Sequence, residues 1–223
     1  MRLKKLKKKW IGQENYVPRL KVNNYVFYRE LEVSKEEIRY DSWRAGSFNK
    51  ENLIKDIEEE FRVNGASDKV PPFQTKVNLY DRMKDKTHWC DLYKKIRHTL
   101  MRYYTKEFVL KESWANKAVE NSAFGFHTHD RDITCVYYAK NNYPEFGTNI
   151  DEQVIIPGVE DSLLIFDGKI RHQLCNMPFE LAVHPHNHRY SIVFDFNIDK
   201  STNPDNIATV SYTHLTLPTN DLV

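Results

Sequence analysis

Two histidines separated by a single residue, His127 and His129, are the first feature of this sequence that points to chemistry. In a β-strand, residues i and i+2 point to the same side, so an extended segment here presents two imidazoles on one face. That is the geometry of two adjacent ligands on one metal ion. Taken alone, however, such a pair is more often packed or solvent-facing than metal-binding.

A third histidine, His172, follows an apolar run at 163–166 that is typical of a buried strand. A lone histidine in that position is usually structural. Its significance comes from the pair at 127 and 129, because a facial three-residue site needs a further ligand from a distant part of the chain. The three histidines together predict a metal centre with three coordination positions left open.

Arg189 begins a segment, 189–197, in which apolar side chains alternate with others. The apolar face comprises Tyr190, Ile192, Phe194 and Phe196, and the opposite face comprises Arg189, Ser191, Val193 and Asp195. An arginine is costly to bury unless an anion pairs with it. One interpretation is an arginine at the rim, paired with Asp195 or solvent. The other is a carboxylate clamp, because a guanidinium can donate two parallel hydrogen bonds to a carboxylate.

The elements that position these residues are two helices followed by many strands. Asn49 is expected to cap the first helix, Leu53 and Ile57 have helical spacing, and Asn64-Gly65 ends it. The second helix is predicted at 91–104. Strands are predicted at 108–116, 123–129, 133–139, 154–156, 162–167 and 189–197. Many short strands separated by turn residues predict a sandwich or barrel, with the helices packed outside.

Composition places few limits on function. The chain has 223 residues, 33 basic and 31 acidic, with a net charge of +2 and a short basic run at 4–9. Neither a nucleic-acid partner nor a membrane is therefore expected, and no apolar run approaches the ~20 residues that span a bilayer. The odd number of cysteines without a C-x-x-C pair (Cys90, Cys135 and Cys175) favours a reducing compartment over a disulfide framework or zinc knuckle. No signal peptide is evident, so the cytoplasm is the expected location.

The C-terminal segment 209–223 resembles the conceptual translation of a transposon-derived sequencing adapter. It is therefore expected to be non-native, and His214 is discounted as a ligand. The alternative is a genuine strand with alternating Thr and Leu. The predicted organisation is an N-terminal extension at 1–45, one domain at 46–208 and this tail, with the true C-terminus left open.

The order of the motifs resembles that of prolyl-hydroxylase-like oxygenases that depend on 2-oxoglutarate and Fe(II). The resemblance covers about residues 70–197. The segments that come after the H-x-H pair in the family's order are 133–138, 146–148, 156–157, 163–166, His172 and 189–192. The segment 112–116 ahead of the H-x-H pair is also similar to oxygenases of phages and marine bacteria. The resemblance implies a mostly β fold with flanking helices around a double-stranded β-helix, the jelly-roll core that cupins share.

The resemblance also implies residue roles and cofactors. His127 and His172 would ligate iron, and position 129 would be the ligand that is usually Asp or Glu. Arg189 would pair with the distal carboxylate of 2-oxoglutarate, assisted by Tyr138 and Thr134. The implied activity is hydroxylation of a protein side chain or small metabolite, using dioxygen, with 2-oxoglutarate decarboxylated to succinate and ascorbate as a reductant. A phage protein would act in the host cytoplasm.

The register of the H-x-H segment is a check on these roles. His127 and His129 are odd-numbered, whereas Thr134 and Tyr138 are even-numbered, so one unbroken strand cannot point both pairs inward. The charged stretch 130–132 must therefore be a loop or bulge.

Two features depart from the family pattern. Histidine stands at 129 where a carboxylate is usual, so either His129 completes a three-histidine site or Asp130 supplies the carboxylate. Adjacent residues of a strand point to opposite faces, which favours His129. Arg189 also lies 17 residues after His172, a longer gap than is usual, and the excess contains Pro178 and the histidines 184, 186 and 188. These form either a loop at the site mouth or a metal-binding run.

Two further functions stay open at this point. A cupin-like metalloenzyme with three histidine ligands would not use 2-oxoglutarate. A catalytically inactive phage structural or binding module would retain the fold alone. No motif identifies the substrate.

Overall fold

A computed structural model describes residues 38–43, 48–67, 72–104, 106–119, 125–152, 154–175 and 184–199. The hint of a strand at Val26, Tyr28 and Leu31, the tail at 209–223 and Pro178 lie outside the described residues. In chain order the elements are β1 (Ile38–Ser42), α1 (Lys50–Asn64), β2 (Phe73–Gln74), α2 (Leu79–Met83), α3 (Thr87–Tyr103), β3 (Phe108–Ala118), β4 (Ile133–Lys140), β5 (Thr148–Ile150), β6 (Val154–Ile156), β7 (Ser162–Phe166), β8 (His172–Leu174), a 3₁₀ turn (Pro185–Asn187) and β9 (Arg189–Ile198).

Two antiparallel sheets form the body of the protein. The larger has six strands in the order β1-β7-β4-β9-β3-β2, and the smaller has three in the order β6-β5-β8. The prediction of a mostly β protein with flanking helices is confirmed. Because β1 pairs with β7, this sheet begins within the segment predicted as an N-terminal extension.

Alternation along the strands gives the large sheet two distinct faces. One face packs against α1, α2 and α3 and includes the apolar residues predicted for β9, from Tyr190 to Phe196. The other face packs against the small sheet and includes Trp114, Val136, Tyr138 and Val193. The core is therefore split into a helix-side layer and an inter-sheet layer.

The helix α1 matches its prediction in detail. The Asn49 side chain accepts a hydrogen bond from the backbone of Asn52 at 3.1 Å. At the other end, Gly65 adopts a positive φ of 70° and its N–H donates to Phe61 O at 3.0 Å. This is the conformation that glycine tolerates after a helix. The prediction for α3 was wrong at its start, because the helix begins at Thr87 and its buried stripe already includes Trp89.

The segment around the H-x-H pair differs from its prediction. Residues 125–129 form no strand, and His127 makes an isolated β-bridge with His172. Residues 130–132 are bends that lead into β4, so the predicted break in register is confirmed. Two strands of three residues, β5 and β8, were not predicted. The three cysteines are free, and no described helix is long and apolar enough to cross a membrane.

Candidate metal and cosubstrate site

Three histidines from two distant parts of the chain meet at one edge of the small sheet. His127 and His172 exchange backbone hydrogen bonds of 3.0 and 2.9 Å, and their ring centroids are 4.4 Å apart. The ring of His129 lies 5.3 Å from His127 and 4.9 Å from His172. One nitrogen from each ring lies within 4.8 Å of the others, a spacing at which one ion can contact all three.

The hydrogen bonds of the three rings decide which nitrogen is available. His127 Nδ1 lies 2.9 Å from Gly125 O, and His172 Nδ1 lies 2.8 Å from Ile170 O. A carbonyl oxygen only accepts, so Nδ1 must donate in both rings. His129 Nδ1 faces the carboxylate of Asp195 at 2.9 Å. In all three rings this leaves Nε2 for a metal, with Nδ1 held by an outer partner as in metal-ligating histidines generally.

Burial keeps two of these rings in the neutral form that binds metals. Loss of solvent lowers the pKa of His172 to about 3 and also lowers the pKa of His127. His172 is buried, whereas His127 is nearer to the surface. At neutral pH neither ring has to lose a proton before it coordinates an ion.

The structure brings His129, and not Asp130, into this cluster. Asp130 is exposed and borders a separate surface pocket together with Lys111 and Lys169. The His129 ring packs 5.3 Å from the Trp114 ring at the wall of the cavity. Of the two alternatives raised by the sequence, the geometry therefore favours His129 as the third ligand.

Asp195 is a site residue that the sequence interpretation missed. It is 1% exposed, and its carboxylate contacts His129 and accepts a 2.8 Å hydrogen bond from the Thr134 hydroxyl. The alternation of β9 places Asp195 on the same face as Arg189, and one interpretation of the sequence paired the two at the rim. That pairing was wrong, because Asp195 lies six positions along β9 from Arg189 and is engaged at the histidine end.

Arg189 is buried, and the described part of the chain offers it no balancing anion. It is 1% exposed, its Nη2 donates to Cys175 O at 2.9 Å, and Nη1 lies 3.5 Å from Gly147 O. Nε has no hydrogen-bond partner, and no carboxylate of the described residues forms an ion pair with this side chain. Burial lowers the pKa of Arg189 to about 10, so it stays charged at neutral pH. An uncompensated buried charge of this kind is the expected signature of an anion site.

Hydroxyl and amide groups line the wall beside Arg189. The Tyr138 hydroxyl and the Thr148 hydroxyl are 2.6 Å apart and buried. Tyr138 pairs with Ser191 across β4 and β9, and Asn116 pairs with Ser191 from β3. Asn116 Oδ1 is buried with no hydrogen-bond partner among the described residues. Thr134, expected to assist at this end, instead holds Asp195 near the histidines.

A cavity of about 470 Å³ lies beside the three histidines and part of this polar wall, whereas Arg189 and Tyr138 do not border it. The three histidines, Thr148 and Ser191 border it, together with Trp114, Asn116 and Gln74 on the β3 side. An ion on the histidines and a small anion on the polar wall would thus share one chamber. This is a volume in the range that small-molecule sites occupy.

The histidine run before β9 is separate from this cluster. The rings of His184 and His186 stack with centroids 5.4 Å apart, and the 3₁₀ turn holding His186 is tied to the Asn142 amide at 3.1 Å. Within the described ranges, the group at 127, 129 and 172 is the one cluster with metal-binding geometry. The structure therefore favours a loop over a metal-binding run.

Comparison with known proteins shows the fold. No family model matches the sequence, and no curated protein is detectably similar. Solved structures do match. A viral collagen prolyl hydroxylase from Paramecium bursaria Chlorella virus-1, in a 2-oxoglutarate complex, is 11% identical with a TM-score of 0.51, covering 72% of this chain and 95% of that one. The chain has a jelly-roll core similar to that of this hydroxylase.

Two other structures share this core. A Pseudomonas putida prolyl-4-hydroxylase is 13% identical with a TM-score of 0.50, covering 77% of this chain and 97% of that one. The 2-oxoglutarate-dependent carbocyclase SnoK from nogalamycin biosynthesis is 11% identical with a TM-score of 0.55, covering 78% and 82%. At such identities the likeness establishes architecture, and activity must be argued from the site.

Proposed function

We propose that this protein is an Fe(II)- and 2-oxoglutarate-dependent oxygenase. The observation that carries the proposal is the combination, between the two sheets, of three converging imidazoles with a buried guanidinium that has no ion-pair partner among the described residues. Three histidines alone fit many metals. Arg189 adds a site for an anion. An enzyme that bound only a metal would gain nothing from burying this arginine, which costs free energy.

The donor set fits iron. Imidazole nitrogens suit Fe, Zn, Cu and Ni, and three protein ligands on one face of an octahedral ion leave three positions for cosubstrate and oxygen. His127, His129 and His172 would hold the ion. Fe(II), 2-oxoglutarate and dioxygen together supply the oxidising chemistry, and the protein supplies binding, orientation and exclusion of water.

Arg189 would bind the distal carboxylate of 2-oxoglutarate. Its guanidinium donates to Cys175 O, and no described residue supplies an acceptor for the Nε hydrogen. The Tyr138 and Thr148 hydroxyls are hydrogen-bonded to each other, so whichever accepts in that pair has its own proton free to donate to the same carboxylate. An ion on the histidines and the Arg189 guanidinium would each attract one carboxylate, and this arrangement matches a dicarboxylate.

The substrate is a protein side chain or a small metabolite. The structural neighbours include both a collagen prolyl hydroxylase and a carbocyclase, so the fold itself accommodates either class. The second candidate function is a cupin-like metalloenzyme that does not use 2-oxoglutarate. His129 in place of the usual carboxylate favours it, whereas the unbalanced charge of Arg189 counts against it.

The decisive experiment measures 2-oxoglutarate binding and consumption by the Fe(II) protein. Anaerobic addition of 2-oxoglutarate should produce a visible charge-transfer band, and air with ascorbate should release succinate. Arg189→Ala should reduce both at least about 100-fold at limiting 2-oxoglutarate, as expected for losing a buried charge-assisted pair worth about 3 kcal/mol. The control is Arg171→Ala, which removes a half-exposed arginine near the cavity rim. An iron-loaded protein that gives no band would support the cupin-like alternative.

A further inference from the structure

The resemblance drawn from the sequence implies an anionic ligand at position 129, and a carboxylate lies directly behind the histidine that stands there. Both oxygens of Asp195 lie close to His129 Nδ1, at 3.0 and 2.9 Å. The imidazole therefore sits between this carboxylate and the point where the three ring nitrogens converge. The negative charge is present at the site, but one side chain further from the ion.

Several contacts hold Asp195 in this place. It is 1% exposed, and the Thr134 hydroxyl, directly opposite it on β4, donates to Oδ1 at 2.8 Å. Trp114 packs beside the His129 ring at 5.3 Å. A buried carboxylate that only stabilised the fold would be expected to pair with a lysine or arginine. The side chain that contacts Asp195 is instead His129, a candidate metal ligand.

The other two histidines have a different kind of partner at Nδ1. The Nδ1 atoms of His127 and His172 donate to the neutral backbone oxygens of Gly125 and Ile170. The Nδ1 atom of His129, by contrast, is in direct contact with a carboxylate. A carboxylate on the far nitrogen makes imidazole a stronger electron donor and fixes its orientation.

We propose that Asp195 is a positioning residue that supplies, through His129, the anionic character that a carboxylate ligand would otherwise place on the metal. The proposal rests on the proposed metal centre but not on the identity of the cosubstrate. The metal would then have three histidine ligands, but the total charge of the site would be that of two histidines and one carboxylate.

Metal affinity tests the proposal without turnover. Apo-protein is titrated with Co(II) against a chromophoric chelator, in the absence of 2-oxoglutarate. Asp195→Asn retains the shape and an acceptor for His129 but removes the charge, and it should weaken the Co(II) Kd by about 10- to 100-fold. The matched control is Asp161→Asn, since Asp161 is equally buried but accepts from Tyr137 on the helix side. The control should keep the wild-type Kd.

In a second pair of variants, the effect of Asp195→Asn on Co(II) affinity should be reversed. In His129→Asp, a carboxylate moves onto the metal position and meets the carboxylate of Asp195 in the same buried space. Adding Asp195→Asn to this background should strengthen Co(II) binding, because it removes the repulsion between like charges. The same substitution thus weakens binding when residue 129 is histidine and strengthens it when residue 129 is changed to aspartate.

The outcomes separate this proposal from the proposed function. If Asp195→Asn binds Co(II) as tightly as wild type, or only lowers the unfolding midpoint of the apo-protein, Asp195 is structural and the inference fails. If the wild-type protein binds no Co(II), both proposals fail. If Co(II) binding follows the predicted change of sign but no succinate is formed from 2-oxoglutarate, the inference holds and the oxygenase function is overturned.

Discussion

The two faces of the large sheet are built by the same strands and yet have opposite character. Along β9, Ile192, Phe194 and Phe196 face the helices and are fully buried among aromatic and aliphatic side chains. The intervening residues face the small sheet, and they include Arg189 and Asp195. A two-residue period is thus sufficient to separate a packing surface from a chemical one within a single strand.

The difference lies in how buried charged groups are treated. On the helix side, Asp161 pairs with Lys50 at 3.0 Å and Glu60 pairs with Arg82 at 2.6 Å. On the cavity side, Arg189 has no ion-pair partner, and its Nε has no hydrogen-bond partner, in the described parts of the chain. Neutral polar atoms do not separate the faces, because the Tyr103 hydroxyl beside the helices and Asn116 Oδ1 beside the cavity are both buried without a hydrogen-bond partner in the described ranges. A buried charge without a partner costs free energy unless a ligand binds it, so the cavity face retains a group that needs a ligand.

The largest effect is expected from removing a large side chain on the helix side of the sheet. Phe194 is fully buried and its ring lies 6.1 Å from Tyr80 and 6.2 Å from Tyr93. Phe194→Ala should lower the free energy of unfolding by about 3–5 kcal/mol, measured by urea denaturation. The Co(II) Kd of the folded fraction should stay within about twofold of wild type. A large loss of metal affinity would show that the two faces are not independent.

The next largest effect is expected on the cavity face, where removing a side chain should weaken ligand binding without lowering stability. Arg189→Met should weaken 2-oxoglutarate binding at least about 100-fold, which corresponds to about 2.7 kcal/mol. Without 2-oxoglutarate, the same variant should unfold at an equal or higher urea concentration, because a buried unpaired charge has been replaced by an apolar side chain.

Arg189→Lys is the control for this prediction. It retains the charge but loses the two-pronged donor geometry, so it should lie between wild type and Arg189→Met in 2-oxoglutarate affinity. A fall of several kcal/mol in the stability of ligand-free Arg189→Met would contradict the separation of the two faces, since it would make Arg189 a structural residue.

Sequence patterns predicted the elements whose periodicity runs over many residues. The alternation of β9 and the capped repeat of α1 both appear where they were expected. The break at 130–132 followed from parity alone. Strands β5 and β8 have three residues each and lack the continuous apolar run that marks β6, which is equally short, and their place comes from pairing with each other.

Only part of the site could be predicted, because only some of its residues carry a local signal. His127 and His129 are separated by one residue, His172 follows an apolar run, and Arg189 begins a mostly apolar segment. Asp195 carries no such signal, since an inward-facing aspartate in β9 has several conceivable partners. Its pairing with His129 depends on the register between β4 and β9, which sets Thr134 opposite Asp195. That register is a long-range property which local patterns do not encode.

The smallest expected effect returns to the helix side and depends on pH. Asp56 accepts from Lys86, His88 and Trp89 at 2.6, 2.7 and 2.9 Å. Burial alone would raise the pKa of this carboxyl, but the three hydrogen bonds outweigh burial and lower it. The folded state therefore favours the ionised form, and its contribution is present above the unfolded pKa and lost as the pH falls through the folded pKa.

Asp56→Asn should accordingly cost about 1 kcal/mol of unfolding free energy at pH 7, and the cost should shrink towards zero as the pH falls below about 4. Urea denaturation at a series of pH values measures this, with Asp91→Asn on the exposed surface of α3 as the control that shows no such trend. Because Asp56 lies in the helix-side layer, the Co(II) Kd at pH 7 should not change. A parallel loss of metal affinity would mean that α1 and α3 tune the site as well as support the sheet.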